Sequence, residues 1–331
     1  MGSTVKLRKY HGLGNDFLVL LDVDGYRGIA RIEDVDGVDG VDSVDSMDST
    51  DSVDGGLSQP DATALAQSAC NRHRGIGADG LLIVTRGPAD GSADITMRLH
   101  NADGSIAEMS GNGIRCFSQG VVDAGLAATG ILRVHTDAGL RVVEVGETNA
   151  EGVASIRVDM GVAKVDAFAV PDAVVALVEA LGDPTARIAT VDVGNPHLIV
   201  GVDSSKVDIA AFAIATFGPA VEEHFMSAFG GINVHVVARA LPSADQLVSG
   251  GVSQGVDVLN MTIWERGVGV TEACGTGATA VAVAAQGWGW VGSVTELRQP
   301  GGTALVEIAG EQITLIGPSQ FVAACDFVWN Q

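Results

Sequence analysis

The chain has 331 residues, of which 47% are hydrophobic and 44 are glycine, so it is long enough for two domains with cores of small side chains. Its 41 acidic and 19 basic residues give a formal net charge of -22, which argues against nucleic acid or an anionic membrane surface as a partner. The four cysteines lack paired or metal-type spacing, so we expect free thiols, no metal site and a reducing, cytoplasmic compartment.

The N-terminal residues predict two strands followed by an acidic insertion. Residues 5–10 alternate between polar and apolar side chains, and residues 17–21 form a continuous apolar run, so both predict strands. Between residues 33 and 58 the chain becomes a degenerate Val-Asp triplet, whose period suits neither a helix nor a strand. Because its like charges repel, we predict a disordered, solvated segment. Its aspartates lack the spacing of known calcium loops, so no calcium site is predicted.

After the insertion the pattern predicts a helix and a series of strands. Asp61 is expected to cap a helix over residues 62–71. The glycines of residues 75–80 formally match a dinucleotide-binding fingerprint. They precede a predicted strand instead of following one, so we reject nucleotide binding. The predicted strands are residues 81–85, 95–100, 131–136, 140–145 and 155–160.

Two glycine-rich turns each open a run of small apolar residues that predicts a buried helix. Residues 274–277 (Cys-Gly-Thr-Gly) precede the run 278–286, and residues 110–113 (Ser-Gly-Asn-Gly) precede the run 114–122. The N-terminus of a helix favours an anion. We therefore expect it to lower the pKa of the Cys274 thiol below the free value of about 8.5.

The second half of the chain echoes the first. Residues 14–20 (Gly-Asn-Asp-Phe-Leu-Val-Leu) recur as residues 194–200 (Gly-Asn-Pro-His-Leu-Ile-Val), ahead of the two glycine-rich turns in the same order. Two landmarks in one order predict a duplicated domain. Because strands surround one helix in each half, the predicted fold class is α+β, with two homologous domains related by a pseudo-twofold axis, each a mixed sheet or barrel around a central helix.

A pseudo-twofold axis would bring the two helix N-termini together in a cleft between domains, which is a preferred ligand site. They would hold a small carboxylate, with a thiol and a hydroxyl on opposite sides of the adjoining carbon. This geometry suits proton removal on one face and return on the other, which is racemisation or epimerisation. No cofactor is required if backbone N–H groups stabilise the enolate charge, and we find no Walker loop, zinc pattern or nucleophile elbow.

Seven motifs, in order along nearly the whole chain, resemble diaminopimelate epimerase, and only the acidic insertion is unmatched. They are residues 11–17 (His-Gly-Leu-Gly-Asn-Asp-Phe), 75–80 (Gly-Ile-Gly-Ala-Asp-Gly), 101–105 (Asn-Ala-Asp-Gly-Ser), 110–116 (Ser-Gly-Asn-Gly-Ile-Arg-Cys), 194–197 (Gly-Asn-Pro-His), 265–267 (Glu-Arg-Gly) and 273–277 (Ala-Cys-Gly-Thr-Gly). The resemblance implies a first domain of residues 1–138 plus 317–331 and a second of residues 139–316. It also implies a homodimer and a small-molecule substrate, diaminopimelate, whose LL and meso forms are interconverted without a cofactor.

The resemblance also implies a role for each matching residue. Cys274 is one of two acid/base thiols, and Ser110 occupies the position of the other. The backbone donors for the reacting carboxylate are Gly111, Asn112, Gly275 and Thr276. The residues for the far end of the substrate are Asn15, Asn101, Asn195, Asn233, Glu265 and Arg266, and His197 is placed near the reacting centre. Taken alone, His197 would suit a core equally well, and Glu265 with Arg266 would suit an exposed ion pair. His73 and Asp79 are interpreted as turn residues, and Cys70, Cys116 and Cys325 as core residues.

Ser110 departs from the family pattern at a chemical position. A hydroxyl ionises much less readily than a thiol, and a helix dipole, worth about 2 kcal/mol at best, does not close the gap. Ser110 is therefore unsuited to act as a base, although it could donate a proton or relay one through water. Three explanations stay open: an engineered replacement of cysteine, a natural but slower epimerase, or a one-base reaction. The rival functions are a racemase or dehydratase for another amino acid, and an inactive homologue that binds an amino acid.

Overall fold

The structure is a computed structural model that describes residues 2–23, 26–27, 29–31, 57–240 and 256–330. The predicted acidic insertion lies outside the described residues except for its last two positions. There the Leu57 amide donates to the Asp22 carboxylate at 2.8 Å, and Ser58 caps a helix. Predicted disorder is therefore wrong at these two residues. No helix in the described ranges is long and apolar enough to span a membrane.

The described residues form strands that surround a small number of helices. The strands are β1 (Gly2–Gly12), β2 (Asn15–Val23), β3 (Tyr26–Arg27), β4 (Ile29–Arg31), β5 (Gly80–Arg86), β6 (Ile95–Asn101), β7 (Ile106–Ala107), β8 (Gly130–Thr136), β9 (Gly139–Val145), β10 (Val153–Gly161), β11 (Lys164–Val165), β12 (Arg187–Asp192), β13 (Pro196–Gly201), β14 (Asn233–Arg239), β15 (Asp257–Glu265), β16 (Gly269–Val270), β17 (Val294–Gln299), β18 (Gly302–Ala309) and β19 (Gln312–Asn330). The helices are α1 (Gln59–Ala69), α2 (Gly111–Asp123), α3 (Asp172–Glu179), α4 (Ile214–Glu222), α5 (Met226–Phe229) and α6 (Gly275–Gly287), with a 3-10 turn at Glu223–Phe225.

Strands pair in the same order in the two halves. In the first half β1–β2, β5–β6 and β8–β9 are antiparallel, whereas β2–β5 and β6–β8 are parallel. In the second half β12–β13, β14–β15 and β17–β18 are antiparallel, whereas β13–β14 and β15–β17 are parallel. Helix α2 precedes β8 as helix α6 precedes β17. The predicted duplication is confirmed: the fold is α+β, with two homologous halves related by a pseudo-twofold axis.

The last strand connects the halves. Along its first part, residues 312–320, β19 pairs with β18 and β10, and along its second part, residues 320–330, it pairs with β1. Strand β10 also pairs with β9, so the strands form a continuous hydrogen-bonded system across the two halves. The domain boundaries at residues 138 and 317 stay a prediction.

The two central helices are the most deeply buried elements. Residues 111–121 of α2 are buried, and α6 is built mainly from alanine, glycine and valine that are also buried. Helix α6 carries small apolar residues on most of its sides, as expected of a helix in an interior, and small side chains let the surrounding strands approach it. Both helices begin earlier than predicted, because Ser110 and Cys274 are their N-caps. The glycines of the two turns therefore belong to the first turn of each helix.

The cap of α1 also differs from the prediction. Ser58, and not Asp61, is the N-cap, since its Oγ accepts from the Asp61 amide at 3.4 Å and donates to the Asp61 carboxylate at 2.6 Å. Pro60 lacks an N–H and so fits the first turn, where no intrahelical acceptor is needed. Asp61 therefore lies inside the helix, where its charge favours the positive end of the helix dipole.

Candidate active site

Ser110 and Cys274 have matching positions at the mouths of the two central helices. Ser110 (φ −135°, ψ 125°) accepts a hydrogen bond at Oγ from the Gly113 amide at 3.0 Å. Cys274 (φ −133°, ψ 113°) accepts one at Sγ from the Gly277 amide at 3.3 Å. Nearly equal backbone angles and the same capping bond are what a duplicated domain predicts. The two side chains are therefore structural equivalents on opposite halves.

The helix mouths meet backbone against backbone. A Cβ atom built on Gly275 would lie 2.9 Å from the Gly111 Cα, and one built on Gly111 would lie 3.0 Å from the Gly275 Cα. Only glycine permits this approach. The first N–H groups of both helices lack intrahelical acceptors, and both helix dipoles are positive here. The junction is therefore suited to a small anion such as a carboxylate.

A cavity of about 880 Å³ opens at this junction and is lined by residues of both halves. It brings together every predicted site residue except His197: Asn15, Asn101, Ser110, Gly111, Asn112, Asn195, Asn233, Glu265, Arg266, Cys274, Gly275 and Thr276. The motifs that carry these residues are spread over most of the chain. Their convergence on one cavity follows from the strand order of the two halves.

His197 lies one layer behind the cavity wall. Its side chain is fully buried, and its Nε2 lies 2.8 Å from the Asn195 Oδ1, while its Nδ1 lies 2.9 Å from the Nε2 of a second buried histidine, His235. Burial holds the pKa of His197 well below its usual value and lowers the pKa of His235 to about 3. Both rings are therefore neutral. His197 contacts Asn195 and does not face the cavity.

The prediction that the pKa of Cys274 falls below its free value is wrong, although the Gly277 amide at the helix N-terminus does lower it. Burial raises the pKa of this thiol well above its ordinary value, and the neighbouring Glu265 carboxylate raises it further. The Thr276 hydroxyl, 3.5 Å from Sγ, and the Gly277 amide act in the opposite direction but do not outweigh burial. The sulfur is therefore a neutral thiol at rest. Its backbone is anchored by Gln299, whose Oε1 accepts from the Cys274 amide at 2.8 Å.

Glu265 and Arg266 lie at the end of β15 without pairing with each other among the described ion pairs. Burial raises the pKa of the half-buried Glu265 carboxyl, which accepts a hydrogen bond from the Thr271 hydroxyl. The Arg266 side chain is exposed and donates to the Phe229 carbonyl at 3.0 Å. Its amide donates to the Asn233 Oδ1, also at 3.0 Å. The exposed ion pair considered above is therefore not formed.

A buried network holds the first-half side of the cavity. The side-chain amide of Asn112 (Nδ2) donates to the Asn15 Oδ1 at 3.2 Å. It also donates to the Ala273 carbonyl of the other half at 3.0 Å. The fully buried Arg115 donates to the Asn112 Oδ1 at 2.8 Å. The Asp79 carboxylate accepts a hydrogen bond from the side-chain Nδ2 of Asn15 at 2.6 Å. The side chain of Asn112 is thus fixed by three partners and joins the two halves.

Sequence reasoning missed the part that Arg115 and Asp79 take in this network. Asp79 lines the cavity and orients Asn15, although it was expected to serve only a turn. Arg115 lies between Ile114 and Cys116 in a buried helix. A charged residue inside an apolar helical run could have indicated a buried polar network at this position. Its pKa is lowered to about 10 by burial, so it remains charged at neutral pH.

Other predicted residues lie apart from the cavity. Cys70 and Cys116 are buried in the core, as expected, but Cys325 is only half-buried on β19, so its assignment to the core is wrong. The reason is that this part of β19 pairs with β1 at the outside of the first half. His73 is exposed in a turn. In the described ranges no group of three or more His, Cys, Asp or Glu residues is arranged to hold a metal ion.

Fold and cavity together define a class of protein: two homologous α+β halves with a cavity between two helix N-termini, one of them capped by a thiol. Comparison with known sequences narrows this class. The family profile described as diaminopimelate epimerase matches residues 41–165 and 189–322. The diaminopimelate epimerase of Pseudomonas entomophila is 34% identical over 325 residues, covering 95% of this chain and 96% of the relative. That of Synechocystis is 33% identical, covering 95% of each. The chain belongs to the diaminopimelate epimerase family, which is a family of isomerases.

Solved structures with the same fold are more distant in sequence. A phenazine biosynthesis protein of the PhzF family from Bacillus anthracis has a TM-score of 0.65 at 16% identity and covers 98% of both chains. A hydroxyproline epimerase from Agrobacterium vitis has a TM-score of 0.58 at 16% identity and covers 98% of this chain and 91% of the other. At such identities the likeness establishes the two-domain fold alone.

Proposed function

We propose that the protein is a cofactor-independent epimerase that interconverts LL- and meso-diaminopimelate in lysine biosynthesis. The observation that carries this proposal is the pair of equivalent helix caps, Cys274 and Ser110, on opposite halves of one cavity. The names of the curated relatives support the choice of substrate. A homodimer, implied by the resemblance, and a cytoplasmic location, expected from the unpaired cysteines, remain predictions.

The reacting carboxylate of the substrate would lie at the junction of α2 and α6. There the N–H groups of Gly111, Asn112, Gly275 and Thr276 lie in the first turns of the two helices, where such groups lack intrahelical acceptors. Preorganised donors of this kind stabilise the charge that develops when the α-proton leaves. The buried cation of Arg115 adds positive potential behind the same helix mouth.

The far end of diaminopimelate carries a second ammonium and a second carboxylate. Arg266 would pair with the carboxylate, because a guanidinium suits bidentate binding, and Glu265 would accept from the ammonium. The asparagines would supply neutral donors and acceptors around these charges: Asn15, Asn101, Asn195 and Asn233. His197 would contribute through Asn195, with which it hydrogen-bonds. A substrate with charges at both ends matches this distribution better than a monocarboxylic amino acid does.

Proton transfer in this chain would be unequal on the two faces. The neutral Cys274 thiol can donate its proton to the substrate. It can act as a base only after it has lost that proton to solvent or to the nearby Glu265. Ser110 would donate or relay a proton but would not remove one at neutral pH. We therefore expect isotope exchange on the face of Cys274 to exceed net epimerisation.

One experiment tests the proposal. Deuterium incorporation at the α-carbon of LL- and meso-diaminopimelate is followed by NMR with the protein and with its Ser110→Cys variant. We expect slow exchange of one isomer by the protein, and exchange with inversion of both isomers by the variant. Absence of exchange in both forms, while titration calorimetry still detects binding, would show a non-catalytic binder and end the epimerase proposal.

Ser110 is also the observation that favours a second candidate, a one-base enzyme for another amino acid. Such an enzyme needs only the Cys274 face and has no use for Arg266 at the far end of the cavity. A panel of hydroxyproline, proline and serine in the same exchange assay separates the two. Turnover of one of these, with none of diaminopimelate by either form, would establish the second candidate.

A further inference from the structure

A line of four hydrogen bonds runs from the buried His235 to the sulfur of Cys274. The His235 Nε2 lies 2.9 Å from the His197 Nδ1, and the His197 Nε2 lies 2.8 Å from the Asn195 Oδ1. The Asn195 amide donates to the Thr276 Oγ1 at 3.4 Å, and that oxygen lies 3.5 Å from the Cys274 Sγ. Neither histidine is part of the cavity lining.

The chemistry of the groups sets the direction of these bonds. Both imidazoles are neutral because burial lowers their pKa values, so each ring carries one N–H. The Asn195 Oδ1 can only accept, so the His197 proton must be on Nε2, which leaves Nδ1 as an acceptor. His235 must then donate from its Nε2. Every donor in the line consequently points toward Cys274.

The far end of the line does not fix this direction by itself, so the direction rests on the orientation of the Asn195 side chain. The His235 Nδ1 is fully buried and has no partner of hydrogen-bonding geometry in the described part of the chain. A lone pair left there has no partner, whereas a proton there would lie beside the Thr262 backbone, whose hydrogen bond raises the pKa of His235. In the opposite arrangement the Nδ1 proton would face the backbone of Thr262, and each bond in the line would reverse. The amide of Asn195 would then have to turn over.

At the near end the Thr276 hydroxyl accepts from Asn195, so its own proton is free to point at the Cys274 sulfur. A donor at this position favours the thiolate, and it opposes the effect of burial on the thiol. His235 also packs against the helix mouth itself: a Cβ on Gly277 would lie 2.4 Å from the ring. His235 therefore contacts the first turn of the helix that Cys274 caps. His235 and His197 are also connected to the Cys274 sulfur through Asn195 and Thr276, which line the cavity.

We propose that His235 is a positioning residue that fixes the tautomer of His197, the orientation of the Asn195 amide and thereby the donation of the Thr276 hydroxyl to the Cys274 thiolate. It transfers no proton and touches no substrate. The inference deepens the proposed function, since it concerns how the base of that reaction is formed. The histidine tautomers and the reactivity of the thiol can both be measured without turnover.

The first test reads the tautomers directly. The ¹⁵N chemical shifts and two-bond couplings of ring-labelled histidine, assigned with His235→Gln, distinguish the two tautomers at about pH 7.5. We expect both His197 and His235 to carry the proton on Nε2. A proton on Nδ1 of His197 would reverse the line and overturn the proposal, whether or not the protein is an epimerase.

The second test measures the reactivity of the thiol. Alkylation of Cys274 by iodoacetamide at about pH 8 is quantified by peptide mass spectrometry in His235→Leu, which lacks the donor, and His235→Gln, whose amide can replace it. We expect alkylation to slow by between about threefold and tenfold in the leucine variant, the range for one hydrogen bond, and to recover in the glutamine variant. Equal rates in all three proteins would refute the role.

Two further variants separate positioning from general damage. Thr276→Val should slow alkylation as His235→Leu does, and the double variant should be no slower than either, because both remove the same donor. The matched control is His100→Leu, since His100 is another buried histidine, in the first half and outside the cavity lining. Slowing by this control equal to that of His235→Leu would mean that any lost core histidine loosens the site, and the proposal would fail.

Discussion

The contact between the two helix mouths makes Gly275→Ala a severe test of the site geometry. The new methyl group would lie 2.9 Å from the Gly111 Cα and 2.9 Å from the Leu315 Cδ2. Carbon atoms in contact prefer about 3.5–4.0 Å, so a backbone must move by roughly 0.6–1 Å. The obstacle is main chain on one side, which cannot change rotamer to make room.

That displacement sets the expected magnitudes. Overpacking of this kind costs about 1–3 kcal/mol, and a misplacement of about 1 Å at a reacting centre costs up to about 100-fold in rate. Alanine is favoured over glycine in a helix by up to about 1 kcal/mol, which offsets part of the strain. We therefore expect the free energy of unfolding to fall by about 1–2 kcal/mol. We expect the rate of α-proton exchange to fall by up to about 100-fold.

The assay combines urea unfolding with deuterium exchange at the substrate α-carbon. The control is Gly287→Ala at the other end of the same helix, where nothing lies within 4 Å of the new Cβ. This control should leave exchange unchanged and raise the free energy of unfolding by up to about 1 kcal/mol. If Gly275→Ala behaves like Gly287→Ala, the helix mouths do not meet as described and the anion site loses its basis.

Three other predictions follow from the buried charges and from the cavity wall. The pKa of His235 is lowered to about 3, so below the ordinary value of 6.5 the unfolded chain binds a proton that the folded chain refuses. Lowering the pH from 6.5 to about 4.5 should therefore reduce the free energy of unfolding by about 2 kcal/mol through His235 alone. Urea unfolding should show a loss that is smaller by this amount in His235→Gln. Arg115→Met should lower it by about 3 kcal/mol or more, because a buried network loses its donor; an unchanged urea midpoint would contradict this. Arg266→Gln should weaken diaminopimelate binding by roughly tenfold or more and leave the melting temperature unchanged. Arg74→Gln, at an exposed arginine outside the cavity lining, should affect neither.

Much of the fold was accessible from the sequence because duplication repeats its signals. The paired landmarks at residues 14–20 and 194–200 mark strands β2 and β13, which hold equivalent places in the two halves. The outer layer of the second half was not predicted: α3 and α4 belong to a separate core cluster. Their periodicity alone gives no sign of what they pack against. The α1 cap was missed because serine and aspartate both suit that position.

The composition of the site was predictable, whereas its electrostatics were not. Ordered motifs indicate which residues share a cavity, and all but His197 line it. The pKa of Cys274 depends on how completely the two halves exclude water from its sulfur, which no local pattern records. The position of His197 likewise depends on His235, a residue of the neighbouring parallel strand. Burial and long-range partners are properties of the assembled fold, so local residue types did not determine them.

Ser110 separates what the fold requires from what the chemistry requires. As an N-cap serine is among the best residues, and its bond to Gly113 at 3.0 Å matches that of Cys274 to Gly277. The helix therefore keeps its cap with serine, while the acid/base function proposed for the position would be weakened. Ser110→Cys should accordingly raise net epimerisation and lower the free energy of unfolding, by less than the roughly 0.5–2 kcal/mol that loss of a serine cap costs. A variant that gains stability but no activity would mean that the hydroxyl, and not a missing thiol, is suited to the reaction this chain performs.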